Sequence, residues 1–194
     1  MQGIYRTLWP EGLPAYTRVF TIADGAQDKR LYGAVDASRQ DRWCLYSVDR
    51  RWGGQDLPWQ LLMTSPYLVE LDPEEEFTRY LLHDGWDHNW GIFFRSDTDM
   101  QKVRRHFREL LTVRDDKGRL LMFRYYDPRV LRVYLPTCLP SELRQVFGPV
   151  DVFIVPGDDP ETAIVFRLDD GRLSKDLVML RERPPAPVST GRSQ

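Results

Sequence analysis

The run Phe123-Arg124-Tyr125-Tyr126-Asp127-Pro128-Arg129-Val130-Leu131 constrains this chain more than any other stretch. Leu120 to Tyr126 follows a turn signal at Asp115-Asp116-Lys117-Gly118 and is rich in β-favouring aromatic and apolar residues, so it reads as a central strand, with Thr112 to Arg114 as its candidate hairpin partner across the Lys117-Gly118 turn. Beyond it, Val130, Leu131 and Tyr134 fall at helical spacing. Asp127 stands at the junction. An Asp at an N-cap accepts backbone N–H bonds, and a proline in the first helical position gives up no needed donor. The chain must therefore turn abruptly from strand to short helix here. Arg124 and Arg129 flank the carboxylate and can hold it as an ion pair. Three charges in so apolar a setting are costly unless they satisfy one another. The simplest reading is a structural corner.

The rest of the chain supplies the elements around that corner. Residues 1–16 hold two prolines and two glycines and read as a loose N-terminal arm. Arg18 to Ile22 is a strand, Gln27 to Val35 a modest helix, and Trp43 to Val48 a strand apolar enough to be buried on both faces. Asp49 to Gly54 is a loop by its glycines. Trp59 to Leu62 fits a short helix or an extended segment equally well. After a strand at Tyr67 to Leu71, Asp72-Pro73-Glu74-Glu75 has the pattern of a helix start, with Asp72 as cap and Glu75 closing a capping box. Phe77, Tyr80 and Leu81 form the buried side of that helix, and Gly85 is its expected stop. Trp90 to Phe94 is a strand.

The clearest helix opens at Ser96-Asp97-Thr98-Asp99. Met100, Val103, Phe107, Leu110 and Leu111 recur at three and four residues and mark one apolar face. Lys102, Arg104, Arg105 and Arg108 lie elsewhere on it, as a solvated face or as a landing surface for an acidic partner segment. A further helix starts at Leu139-Pro140-Ser141-Glu142 and ends at Gly148. Strands follow at Val150 to Val155, Ala163 to Leu168 and Asp176 to Leu180, the last two joined by Asp169-Asp170-Gly171. Residues 181–194 have the composition of a disordered tail. The expected fold class is mixed α/β: a central sheet, partly parallel and partly antiparallel, with helices packed on it. The expected domain is 17–180, with a lobe boundary possible near 127–150.

With 42% hydrophobic residues in 194, the chain can bury a sizeable core. A net charge of −2, from 27 basic against 29 acidic residues, gives no general attraction to nucleic acid or an anionic membrane. The opening residues carry no secretory signal and no apolar run is long enough to span a bilayer, so a cytoplasmic protein is expected. Cys44 and Cys138 are far apart, without metal-ligand spacing, and are expected to be reduced thiols.

Signals for catalysis are weak. His83, Asp87 and His88 are able metal ligands, but Gly85 interrupts the helix that would align them, and a solvated turn explains the composition. There is no glycine–serine elbow and no phosphate loop, and neither cysteine has a histidine near it in sequence. Asp115-Asp116 and Asp158-Asp159 sit in turns, where Asp is favoured on conformational grounds. The expectation is no enzyme, no cofactor and no metal.

Arg124-Tyr125-Tyr126-Asp127-Pro128-Arg129-Val130-Leu131, then Leu135-Pro136-Thr137, then Phe147-Gly148-Pro149-Val150, resembles one family of domains of unknown function. Ser65 to Leu71 and Trp90 to Phe94 extend the likeness, which covers roughly Leu31 to Val155. That family is found in adaptor chaperones of bacterial type VI secretion. The resemblance implies that the chain binds a toxic effector encoded nearby and helps load it onto the valine–glycine-repeat spike. It marks Arg124, Tyr125, Asp127, Pro128, Arg129, Phe147, Gly148 and Pro149 as signature residues, structural or partner-binding. Such an adaptor holds a partner segment without chemistry, and aromatic or arginine anchors would serve it. The same aromatics could equally be core. The alternatives are a small hydrolase-like enzyme with a site assembled across the fold, or a toxin-immunity protein.

Overall fold

The computed structural model describes residues 2–48, 57–114 and 117–181. The strands in chain order are β1 (Arg18–Asp24), β2 (Arg42–Cys44), β3 (Pro66–Glu70), β4 (Gly91–Ser96), β5 (Thr112–Arg114), β6 (Leu120–Met122), β7 (Val152–Pro156), β8 (Thr162–Asp169) and β9 (Arg172–Met179). Seven of them form one sheet in the order β2-β3-β1-β4-β7-β8-β9, and β5 and β6 form a separate ribbon. The α-helices are α1 (Gln2–Leu8), α2 (Leu31–Ala37), α3 (Trp59–Met63), α4 (Glu76–Tyr80), α5 (Met100–Leu110), α6 (Pro128–Tyr134) and α7 (Pro140–Phe147). A π-helical turn, Leu81–Gly85, continues α4, and a 3₁₀ turn, Leu135–Thr137, continues α6.

Side-chain alternation explains the layering. Phe20 and Ile22 of β1, Phe94 of β4, Phe153 of β7 and Phe166 of β8 point to one face of the sheet. There they meet Val103 and Phe107 of α5, Leu131 of α6 and Leu143 and Phe147 of α7. Val19, Phe93, Ile154 and Val165 point to the other face, where Ile4 and Leu8 of α1, Leu31 of α2, Leu62 of α3 and Phe77 of α4 cover them. Period two in each strand thus feeds two cores, one on each side. The molecule is mixed α/β, with a helical layer on both faces of the sheet.

The expectation of partly parallel pairing is corrected, because among the described residues every strand pairing is antiparallel. Strands buried on both faces lose the apolar–polar alternation that marks a half-exposed antiparallel sheet. All six residues of β4 and all five of β7 are buried, so they read like parallel core strands.

Several local expectations also change. The N-terminal arm is a helix whose Ile4 and Leu8 are buried in the core, not loose chain. The second helix begins at Leu31 rather than Gln27, and the strand after it stops at Cys44. Asp72 does not cap a helix: its Oδ1 accepts from Glu74 N at 2.8 Å in a turn, and α4 begins at Glu76. Gly85 does end the helical run, as the last residue of the π-helical turn, and a Cβ there would lie 2.8 Å from the Trp90 ring, so the residue also serves close packing. Trp59–Met63 is helical, which resolves the open choice there. The expected strand 120–126 stops at Met122 and lies outside the main sheet. Residues 127–150 carry α6 and α7, whose Leu131, Leu143 and Phe147 share one core with Phe153. The Asp49–Gly54 loop lies outside the described residues, as does all but Arg181 of the expected 181–194 tail.

Candidate functional site

The corner at Asp127 forms as its sequence demands. Asp127 caps α6: its Oδ1 accepts from Arg129 N at 3.0 Å and from Arg129 Nε at 2.9 Å, and its Oδ2 accepts from Arg129 Nη2 at 2.7 Å. Pro128 sits buried in the first turn. Burial pushes the Asp127 carboxyl up, but the side-chain and backbone hydrogen bonds from Arg129 outweigh it and hold it below the usual Asp value.

Arg124 does something else. It reaches across the fold to Asp24 at the end of β1, with Nη2 donating to Oδ2 at 2.5 Å. Asp24 is 1% exposed and also accepts from Ala26 N and Gln27 Nε2. The expectation that both arginines hold Asp127 is corrected to one partner each.

The aromatic members of the corner are core. Tyr125 stacks on Phe107 with centroids 5.4 Å apart and donates its hydroxyl to Phe107 O at 2.7 Å. The Tyr126 hydroxyl lies 2.8 Å from that of Tyr46. Burial raises the pKa of both Tyr125 and Tyr126, so both hydroxyls hold their protons more tightly than a free tyrosine.

The second part of the signature is a helix terminus. Phe147 packs edge-on against Phe153 at 5.0 Å. Gly148 has φ 48° and donates its N–H to Arg144 O at 3.0 Å, closing α7. A Cβ on Gly148 would lie 2.4 Å from the His106 ring. His106 Nε2 donates to Val146 O at 2.9 Å, and Pro149 O accepts from Ser96 Oγ at 2.6 Å. The signature residues therefore fasten α5, α6 and α7 to the sheet. Of the eight, only Arg124 and Arg129 expose about half of a charged side chain, at 47% and 55%.

The remaining sequence candidates sit elsewhere. His83 and His88 are exposed, and His88 Nδ1 lies 2.8 Å from Asp84 O. Among the described residues no group of three or more His, Cys, Asp or Glu side chains is placed to hold a metal ion. Cys44 is buried, Cys138 is half-buried, and both are free thiols. The basic side of α5 is partly occupied by its own chain. Arg104 lies over the Trp43 ring at 5.0 Å and donates to Ser47 O at 2.8 Å, while Arg108 donates to Leu45 O and Ser47 O. Arg105 is exposed.

The hairpin of Thr112–Arg114 with Leu120–Met122 forms as the sequence suggests, but its exposure was missed. Taken as core strand, Leu120, Leu121 and Met122 are in fact 62%, 45% and 55% exposed, and Val113 opposite Leu121 is 37% exposed. Apolar side chains thus face water on both sides of β5–β6. The signal was present: three consecutive large apolar residues beside a turn have no alternation to bury just one face.

The arrangement is that of a scaffold, an antiparallel sheet between two helical layers with an apolar ribbon at its surface. Residues 19–145 match the family described as Domain of unknown function (DUF4123), and the chain belongs to that family. No curated protein and no solved structure matches it. Among the described residues no helix is long and apolar enough to cross a membrane.

Proposed function

We propose that this protein is an adaptor chaperone that binds a toxic effector of type VI secretion in the cytoplasm and helps load it onto the valine–glycine-repeat spike. One observation carries the binding part of this reading: the β5–β6 ribbon leaves Leu120, Leu121 and Met122 in water. A two-stranded ribbon outside a larger sheet is only marginally stable in water, and exposed apolar clusters mark sites that partners cover. The resemblance carried by the motifs around Asp127 and Gly148 supports an effector as that partner. The signature itself then keeps the scaffold rigid rather than touching the cargo.

The test is to co-express the chain with the effector encoded beside it and to weigh the purified complex. A stable complex is expected, together with loss of effector solubility or delivery when the chain is absent. Leu120→Lys combined with Met122→Lys should weaken the complex by about tenfold or more while leaving the melting temperature within a few degrees, because both side chains are already exposed. An effector that stays soluble, secreted and fully toxic without this protein, and that forms no complex with it, overturns the proposal. A complex that abolishes toxicity inside the producing cell would instead make the chain an immunity protein.

A further inference from the structure

On the other helical face, α1 and the ends of β8 and β9 enclose a cleft of about 960 Å³. Its floor is apolar, with Val165 and Val178, and four arginines line it: Arg6, Arg95, Arg167 and Arg181. The placement of two of these follows from register. Arg95 pairs with Val152, and Val152 pairs with Arg167, so the two arginines occupy one row on one face, two strands apart. Two strand spacings amount to about 9–10 Å, a gap that two long side chains can close around a single carboxylate.

Arg95 is 8% exposed, and its Nη1 donates to Thr7 O at 2.8 Å and Leu8 O at 3.3 Å, at the C-terminal end of α1. Burial, and after it the charge of Arg167, pull its pKa down, against the attraction of Asp151. A buried cation beside a like charge is a site where an incoming anion gains most. Arg167 pairs with Asp176 at 2.6 Å and Arg181 with Glu161 at 2.7 Å, but both carboxylates are exposed, at 58% and 41%, and neither lines the cleft.

We propose that this cleft holds a carboxylate-bearing peptide segment of a partner protein, with its acidic side chains on Arg95 and Arg167 and its apolar ones on Val165 and Val178. Among the described residues no aromatic ring lines the cleft to stack a base, and the floor is apolar, so a peptide fits better than a nucleic acid. Residues 182–194 of the chain carry Arg183 and Arg192 against Glu182, so they lack the charge to be the occupant. The inference rests on the adaptor reading only for who the partner is.

The experiment measures fluorescence anisotropy of the full chain with a labelled peptide alternating valine and glutamate, and with the same peptide carrying glutamine. The glutamate peptide should bind about tenfold more tightly or better, and less tightly as salt rises. Arg167→Glu and Arg6→Glu, both at partly or fully exposed positions, should each lose about that factor with unchanged melting. Equal binding of the two peptides, no binding, or binding indifferent to both substitutions overturns the proposal. So does tighter binding of an oligothymidylate, or a cleft closed by a second copy of the chain on a sizing column. An effector complex unaffected by either variant would remove the cleft and leave the adaptor standing. Glutamate-dependent binding without any effector complex would do the reverse.

Discussion

Arg124 and Arg129 flank Asp127 almost symmetrically in sequence, yet the fold uses them differently. Arg129 closes a local loop with the residue two before it, and its guanidinium is 55% exposed. Arg124 satisfies Asp24, which is 1% exposed and a hundred residues away in the chain. Removing Arg129 leaves Asp127 its backbone cap, so Arg129→Ala should cost under about 1 kcal/mol. Arg124→Ala takes the cation from a buried carboxylate that keeps only Ala26 N and Gln27 Nε2 as donors, and should cost about 1–3 kcal/mol, read from urea unfolding. Equal costs would mean that Asp24 relaxes into water. His106 gives a second prediction at this scale. It is half-buried against Gly148, and that burial lowers its pKa from 6.5 more than the hydrogen bond to Val146 raises it. Below about pH 6.5 the unfolded chain therefore takes up a proton that the folded chain resists. Stability should be full above that pH and fall as the pH drops below it, and His106→Gln should flatten the slope of melting temperature against pH. A slope unchanged in the variant would assign the acid loss to other groups.

Among the elements, those legible in the sequence are the ones whose start and stop are written in local chemistry. Asp99 caps α5 through Lys102 N at 2.9 Å, Asp127 caps α6, and the Glu142 carboxylate accepts from Leu139 N at 2.6 Å to open α7. Each of these follows from a short polar residue three or fewer positions from the hydrogen bond it makes. The elements misread were those decided by distant partners. Asp72-Pro73-Glu74-Glu75 has every local mark of a helix start, and the chain spends it on a turn, with α4 beginning only at Glu76. The N-terminal residues look loose because of their glycines and prolines, yet Ile4 and Leu8, one helical turn apart, dock on the sheet. Leu8 is 0% exposed, so Leu8→Ala should destabilise by about 2–5 kcal/mol in denaturant unfolding. A loss below about 1 kcal/mol would show that α1 is dispensable, and with it the wall of the arginine cleft.

For the whole molecule, the mixed α/β class and the helices packed on a central sheet were readable, because apolar strands and amphipathic helices alternate along the chain. The strand order was not. Nothing within β4 itself says that its neighbours are β1 on one side and β7 on the other. The signature residues were found and their setting was not, since Arg124's partner lies in β1 and His106, which meets Gly148, lies in α5. The family match ends at residue 145, inside α7, while the sheet runs on through β7, β8 and β9. The pairing of Phe93 with Ile154 and of Phe94 with Phe153 thus joins β4 to a strand made much later. At roughly 5–20 residues per second, a ribosome that has finished β4 needs several seconds to deliver its neighbour. Throughout that interval the nascent chain displays the bare hydrogen-bonding edge of β4, flanked by two phenylalanines, and is most vulnerable to sticking to other growing chains before β7 closes it.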